Sequence, residues 1–561
     1  MPNIMGYTSI YLAESFGWSH HDNNSSQLFF KGHLHNTAYK SKNFLAQLMD
    51  HFDQISEQSN LAKIIDQLDG HFALIYQRKD LTVASVDRVR SIPLLYAKSD
   101  EDKWVISDHA APILKHLKLA SDDISKNAAL EIAVSGFCIG TKTLYQNITG
   151  FLPGEYITIS PKEEVLRFKY HQFSPWKGEQ NRGEIQDYKH TLLSQTLKVL
   201  QKTIDSAKGR KILVPLSAGM DSRVIISGFK ELGFSNLECF SYGRKGNHES
   251  YTAKKIADKL GYNWHFLPTT TANFRQIRNT KSYQEYLKKS DSLISTPVEQ
   301  DVVTLHMMKD CDWARNGIVV NGQTGDFISG NHIPKALQTP SDLGSTQEAK
   351  NQLFSSIFSK HFGLWPSLFE KLEKQDFIKQ INAELIEANA PDLTKENAYS
   401  LYEYYEFVNR QAKYVLGNQR GYEHYGFGWR LPLWDSEFIE FWESVPLEYK
   451  VNQNLYKNSM IEANWGGVWN SLLPAPTWVT PSYIRPLRFL GKAFCSPFGK
   501  PAWHRFENRF FAHSMDSLRK YAAVSWWDVA STSRPHRNAI SWLTSLYLKS
   551  HNLNWDGSPK N

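Results

Sequence analysis

The sequence predicts two unlike halves and a tail: a β-rich α+β domain over residues 1–170, an α/β domain with added helices over 185–475, and a helical, aromatic and basic extension over 476–561. Three observations predict this. Short apolar runs broken by charged turns such as Arg78-Lys79-Asp80 fill the first third. From Ile212 a strand–helix–strand–helix–strand rhythm sets in, as a parallel sheet with crossover helices requires. Two of the later strands run into small, glycine-punctuated polar loops, 217–222 and 322–326, each carrying an aspartate. A chain of 561 residues is long enough for two or three cores.

Composition narrows the function classes. With 41% hydrophobic and 22% charged residues the chain is globular rather than disordered. A net charge of +7 is too modest at this length to indicate a nucleic-acid partner. No apolar run reaches the ~18 residues of a membrane span. Met1–Tyr11 lacks the basic region and apolar core of a secretory signal. Cys138, Cys239, Cys311 and Cys495 lie far apart, without disulfide or metal spacing, and read as buried thiols of a cytoplasmic protein.

In the first third, strands are predicted at Gln27–Phe30, Phe72–Tyr76, Leu81–Val86, Leu94–Ala97 and Trp104–Ser107, with helices at Asn43–Asp53, Asn60–Leu68 and Asn127–Ser135. Pro161–Gly183, charged and containing Pro and Gly, reads as a connector, and Ile185–Asp205 as a helix. Ile212–Leu216 is a buried strand that turns through Ser217-Ala218-Gly219 into a helix whose first turn holds Asp221 and Ser222 and which stops at Gly233. Unpaired N–H groups and the helix dipole make such a turn an anion site. Leu237–Tyr242 and Trp264–Leu267 are further strands, separated by a helix that Asn247 caps and Gly261 ends. Ligands of such sheets sit beyond the carboxyl ends of the strands. Gln338–Thr346 is turn-rich, and the aromatic helices up to about residue 425 read as core.

Leu68-Asp-Gly-His-Phe-Ala-Leu-Ile-Tyr76, Ser85-Val-Asp-Arg-Val-Arg-Ser-Ile-Pro-Leu-Leu-Tyr96 and Thr143–Tyr156 together resemble the class II glutamine amidotransferase domain, a sandwich, that precedes the synthetase domain of asparagine synthetases. In that family a Cys after the initiator Met is the nucleophile that hydrolyses glutamine, its own α-amine serving as base. This chain has Pro2, and Met5 is followed by Gly6. The family's Asn-Gly-Glu-x-x-Asn is matched by Lys31-Gly32-His33-Leu34-His35-Asn36, which alters two polar contacts. The resemblance therefore implies a kept fold and lost glutaminase activity. His33 and His35, alternate residues of a strand, read as an exposed face rather than as metal ligands.

Ser217-Ala-Gly-Met-Asp221-Ser222 resembles the Ser-Gly-Gly-x-Asp-Ser pyrophosphate loop of the same family, an ATP-pyrophosphatase signature, with Ala218 for the first Gly. Asn321-Gly322-Gln323-Thr324-Gly325-Asp326 is similar to the family loop that meets the β- and γ-phosphates and Mg2+, with Gln323 replacing an acid and Phe327 a Glu. The resemblance implies ATP on Leu216, Ser217, Gly219, Asp221, Ser222, Tyr242, Gly322 and Gly325, Mg2+ on Asp221 and Asp326, and Lys457 reaching the leaving pyrophosphate. Gly428-Trp-Arg430-Leu-Pro-Leu-Trp-Asp435 is similar to Glu-x-Arg-x-Pro-Phe-x-Asp, with Arg430 and Asp435 read as a buried ion pair. Its Trp-Asp form is similar to relatives in surface-polysaccharide pathways.

The expected activity is an ATP-dependent, AMP-forming amide ligase. It would join a small-molecule carboxylate, for instance a uronic-acid sugar, to an amine or to ammonia drawn from solution or from a separate glutaminase. An ammonia-dependent asparagine synthetase and a non-catalytic nucleotide-binding relative are the competing readings; Ala218, Gln323 and Gly428 support the latter. In the extension, Arg485, Arg488, Lys492, Lys500, Arg505 and Arg509 alternate with Phe489, Phe494, Phe498, Trp503, Phe506 and Phe510. Basic residues between aromatics could touch a membrane surface, a lipid-linked substrate or nucleic acid; the favoured reading is an amphipathic helix packed on its own domain with its charges in water.

Overall fold

The computed structural model describes residues 3–5, 7–35, 43–55, 58–99, 102–161, 165–181, 183–470 and 480–560. Pro2, Gly6 and Asn36 lie outside them. The first strands are β1 (Asn3–Met5), β2 (Thr8–Tyr11), β3 (Ser19–Asp22), β4 (Ser26–Leu34), β5 (Gly70–Arg78) and β6 (Leu81–Val86). They are followed by β7 (Leu95–Lys98), β8 (Trp104–Ser107), β9 (Ile148–Gly150), β10 (Glu155–Ile159) and β11 (Leu166–Lys169). They form two sheets, ordered β1-β2-β8-β7-β9 and β11-β10-β6-β5-β4-β3.

The continuous apolar run of β5 is explained by cover on both of its faces. Ala73 and Ile75 point between the sheets, toward Ile10, Tyr96 and Ile106. Phe72, Leu74 and Tyr76 point outward onto the helices Phe44–Asp53 and Gln58–Asp66 through Leu48, Phe52 and Ile65. The helix Lys126–Ser135 covers the far side of the other sheet through Ala128, Ala129 and Ile132. The result is a helix–sheet–sheet–helix sandwich.

Two elements differ from the sequence reading. The connector 161–183 contains β11, antiparallel to β10, whose Leu166 and Phe168 alternate with charged residues over too short a span to register as a period. Strand β4 continues through His33 because Gly32 allows it: a Cβ there would lie 2.0 Å from the carbonyl oxygen of His71, and φ is +122°.

The second half is a parallel sheet of β12 (Ile212–Pro215), β13 (Leu237–Gly243), β14 (Asn263–Pro268), β15 (Ile318–Val320) and β16 (Gly428–Arg430), ordered β14-β13-β12-β15-β16. Strand order reverses between β12 and β15, and the loops after those two strands are 216–219 and 321–326. The side chain of Asn247 accepts the Ser250 N–H at 2.7 Å and caps the helix His248–Leu260, which Gly261 ends at φ +77°. The inter-sheet core of the sandwich is continuous with the core around β12, joining Val86 and Ile157 to Val214 and Ile225. No helix among the described residues is long and apolar enough to cross a membrane.

The extension departs from expectation. Trp503 is buried, and Phe506 packs against it, but Phe489, Phe494 and Phe498 are 73%, 71% and 69% exposed. The helix Arg485–Cys495 turns Gly491 and Cys495 inward and leaves aromatic rings, not only charges, in water.

Burial depresses His171, His361 and His536, to about 3, 3 and 4 against an ordinary value of 6.5. Each is neutral when folded and takes up a proton on unfolding below pH 6.5. Their contribution to stability is therefore full above that pH and declines as the pH falls toward 4. Thermal melts from pH 7.5 to 4.5 are expected to show this loss, with His536→Gln flattening it by up to about 1.4 kcal/mol per pH unit; an unchanged slope would refute the assignment.

Candidate active site

The two loops at the strand reversal enclose one cavity of about 340 Å³. Leu216, Ser217, Gly219, Asp221, Ser222, Tyr242 and Gly322 all line it. The first loop is set by its own small side chains. The Ser217 N–H donates to Ser222 Oγ at 3.2 Å, and the Gly219 N–H to Ser217 Oγ at 3.1 Å, so the turn holds its shape before the helix Met220–Glu231 begins. In Arg223 one guanidinium nitrogen donates to the carbonyl of Ala218 at 3.0 Å and anchors the turn from behind.

The second loop is locked to the first through Asp221. The Asp326 N–H donates to Asp221 Oδ2 at 3.1 Å, and the Tyr456 hydroxyl to Asp221 Oδ1 at 3.2 Å. Both glycines permit the approach. A Cβ at Gly322 would lie 2.7 Å from the Asp221 carbonyl carbon, and one at Gly325 would lie 2.4 Å from Asp221 Oδ1. Gly325→Ala is therefore expected to displace Asp221 and lower turnover by about a hundred-fold, as a misplacement near 1 Å does elsewhere. Steady-state kinetics on a variant with unchanged circular dichroism tests this.

The electrostatics show a site short of positive charge. Burial, and then the neighbouring charge of Asp326, push the Asp221 carboxyl well above the ordinary range. Asp326 is instead held low despite burial, because His332 Nε2 lies 3.0 Å from its Oδ2. His332 Nδ1 meets Glu406 Oε1 at 2.5 Å. Burial favours the neutral ring, but Glu406 and Asp326 outweigh it and raise His332 to about 9. Glu406 begins a π-helical turn, Glu406–Gln411, that faces a second one at Phe327–Asn331. Two carboxylates at one rim, one of them unneutralised, suit a hard divalent ion such as Mg2+.

The opposite wall is a hydrogen-bonded polar cluster. Asp301 accepts from the Tyr242 hydroxyl, from Asn418 Nδ2 at 2.7 Å and from the Tyr422 hydroxyl at 2.9 Å. Asn321 Nδ2 donates to the Tyr422 hydroxyl at 3.1 Å. Gln300, Ser241 and Leu518 complete this side. Asp301, Tyr422 and Leu518 carry no sequence signal. They come from three separated segments, and Tyr422 sits among aromatics that read as core. The extension seals the cavity by backbone contact, the Arg244 N–H donating to the Ser517 carbonyl at 2.9 Å.

Lys457 is placed outside this lining. Its ammonium donates to the Asn452 carbonyl at 2.7 Å, and the neighbouring Tyr456 is the residue of that helix that reaches Asp221. The Arg430–Asp435 pair does not form. Asp435 meets Lys202 at 3.4 Å, whereas Arg430 donates to Ser206 Oγ at 2.7 Å and to the Ser206 carbonyl at 2.6 Å. Gln323 Oε1 accepts from Gln419 Nε2 at 3.3 Å and offers no titratable group where the resembling loop has an acid.

Comparison with known proteins gives two family models. One described as "Asparagine synthase" matches residues 198–463, and one described as "Glutamine amidotransferase domain" matches residues 53–171. No curated protein matches. Among solved structures, a glutamine phosphoribosylpyrophosphate (PRPP) amidotransferase from B. subtilis complexed with ADP and GMP is 12% identical, with 50% of this chain and 77% of that chain covered at a TM-score of 0.20. A structure titled as the allosteric regulatory enzyme of purine biosynthesis is 11% identical over 52% and 73%, at 0.19.

Proposed function

From the premise that this chain belongs to the asparagine synthetase family of ATP-dependent amide-forming ligases, we propose that it adenylates a carboxylate other than that of aspartate and passes the acyl group to ammonia or an amine. The observation that carries this reading is the meeting of the 216–222 and 321–326 loops around one cavity, with Asp221 pinned between them.

In this mechanism the Ser217 and Ser222 side chains and the backbone N–H groups of the turn and helix start that the turn itself does not use hold the triphosphate of ATP. Tyr242 and the polar wall around Asp301 form the opposite side of the nucleotide site. A carboxylate oxygen of the substrate attacks the α-phosphorus, the bond to the pyrophosphate oxygen breaks, and an acyl-adenylate forms. The nitrogen nucleophile then attacks the acyl carbon, AMP leaves with the bonding pair, and a proton is released. Asp221 and Asp326 would hold Mg2+, which screens the charge of the departing pyrophosphate. With Gln323 unable to take a proton, either another group accepts it or the nitrogen nucleophile enters neutral. We assign the acyl substrate to the uronic-acid class on the Trp434-Asp435 variant. Pyrophosphate release with Mg·ATP is expected for a uronic acid or its glycoside and not for aspartate; release with aspartate alone would favour the ammonia-dependent asparagine synthetase.

His332 is a positioning residue, because it orients the Asp326 carboxylate. His332→Gln is expected to raise the Mg2+ concentration for half-maximal rate about 10- to 100-fold, as loss of an outer-shell partner does, while the ATP dependence at saturating Mg2+ stays near wild type. A fall in rate at unchanged Mg2+ dependence would refute that role.

A further inference from the structure

His33, His35 and His71 converge at one end of the sandwich. His33 and His71 are cross-strand partners on β4 and β5, and His35 follows His33 by two residues. All three share the parity of Phe29, Ala73 and Ile75, so they project from the face between the sheets rather than toward the outer helices. That face is not exposed here, as the sequence suggested. The ATP-binding half closes it with Trp429, whose ring lies 5.0 Å from His33 and 5.8 Å from His71, centroid to centroid. One ring nitrogen from each histidine falls within 4.8 Å of the other two. His33 Nε2 and both nitrogens of His71 are buried without a hydrogen-bond partner, an arrangement a folded protein seldom leaves unsatisfied. His35 turns Nε2 toward Asp435 at 3.9 Å, the carboxylate–histidine pairing of metal sites. The nearby cations are committed elsewhere, Lys31 to Glu423 at 2.8 Å and Arg430 to Ser206.

We propose that His33, His35 and His71 bind one divalent transition-metal ion of the zinc class at the seam between the sandwich and the ATP-binding half. Three imidazoles are a sufficient protein set for such an ion, with water in the fourth position. This site is independent of the Asp221–Asp326 rim, whose oxygen donors suit a harder ion.

The test is zinc content and affinity of the full-length chain after dialysis against chelator, with Co2+ as a spectroscopic probe. One Zn2+ per chain is expected at micromolar free ion, and Co2+ should give the intense visible bands of a low-coordinate, nitrogen-ligated site. His33→Gln and His71→Gln are each expected to weaken binding by about a hundred-fold or more and to abolish the bands, whereas exposed His248→Gln and Asp221→Asn leave both unchanged. Should a buried substitution unfold the chain, His33→Gln at the rim still reads the site. No retained zinc in the wild type, or binding lost in Asp221→Asn and kept in His33→Gln, would overturn the proposal.

A different observation carries a second inference. Leu487, Leu490 and Phe494 occupy one side of the helix Arg485–Cys495 and are 58%, 63% and 71% exposed, while the adjacent side packs inward through Gly491 and Cys495. Between residues 480 and 512 there are six basic residues (Arg485, Arg488, Lys492, Lys500, Arg505, Arg509) against the single acid Glu507, which Arg488 already engages at 2.6 Å. An open apolar face flanked by uncompensated cations matches an anionic lipid surface. We infer that this helix docks the protein on anionic membranes. Co-sedimentation with phosphatidylglycerol-containing vesicles is expected, with about tenfold less binding to purely zwitterionic vesicles or by the Leu490→Ser/Phe494→Ser variant. Absence of binding to the anionic vesicles, or self-association that the same variant abolishes without any vesicle binding, would overturn it.

Discussion

Asp221→Asn is expected to lower Mg2+-dependent pyrophosphate release by about a thousand-fold, the scale of losing a key electrostatic group in a transition state. Asp221 is the residue on which both loops close: it accepts the Asp326 N–H, accepts the Tyr456 hydroxyl and fills the space that Gly322 and Gly325 leave open. The amide keeps that shape and removes the charge. The variant should not be destabilised in the metal-free state. A carboxyl raised above its unfolded value by burial and by Asp326 costs stability once the pH exceeds the unfolded value near 3.8, and the cost grows as the pH rises toward the folded value. The metal-free variant is therefore expected to melt at or above the wild-type temperature at pH 8, with the difference closing toward pH 4. Mg·ATP should stabilise the wild type and not the variant. Isotope exchange between pyrophosphate and ATP measures the first effect, and melting with and without Mg·ATP the second. Wild-type exchange in Asp221→Asn would remove the basis of the proposed chemistry.

Glutamine is expected to yield no glutamate above background, a deficit of three orders of magnitude or more against a working N-terminal thiol, whereas ammonium supports amide formation. A nucleophile beside a free α-amine is the requirement, and Pro2 and Gly6 supply neither thiol nor hydroxyl. Two histidines further alter the segment that would hold glutamine, and the second half of the chain closes over them through Trp429 and Asp435. Glutamate release measured with and without Mg·ATP decides the matter, and release well above background would overturn the expectation.

How far these features could be read without coordinates depended on how local their causes were. The 217–222 turn was legible because a strand, small residues and a helix start are contiguous, and their chemistry is a property of that one stretch. Asp326 was legible for the same reason. The wall around Asp301 was not, since Asp301, Asn418 and Tyr422 acquire meaning only when the sheet brings three segments together. Lys457 is the converse case: its spacing within a motif suggests reach, whereas the helix Asn454–Ala463 directs Tyr456 to the site and Lys457 to its own preceding turn. His33 and His35 were rightly placed on one face of a strand. Alternation alone does not say what covers that face. The open side of the Arg485–Cys495 helix ranks behind a packed one from sequence because periodicity reports an apolar stripe, not whether anything packs on it.

The core shared by the two halves bears on what the sandwich does for the half it precedes. Val86 and Ile157 belong to the same continuous apolar cluster as Val214 and Ile225. The sandwich is thus a foundation for the nucleotide sheet rather than an attachment to it. A chain starting at residue 185 would present that inner surface to water and aggregate instead of yielding a smaller enzyme, and heating the whole chain should melt both sheets in one transition. Cooperativity of this kind lets catalytic residues drift while the scaffold that carried them stays indispensable.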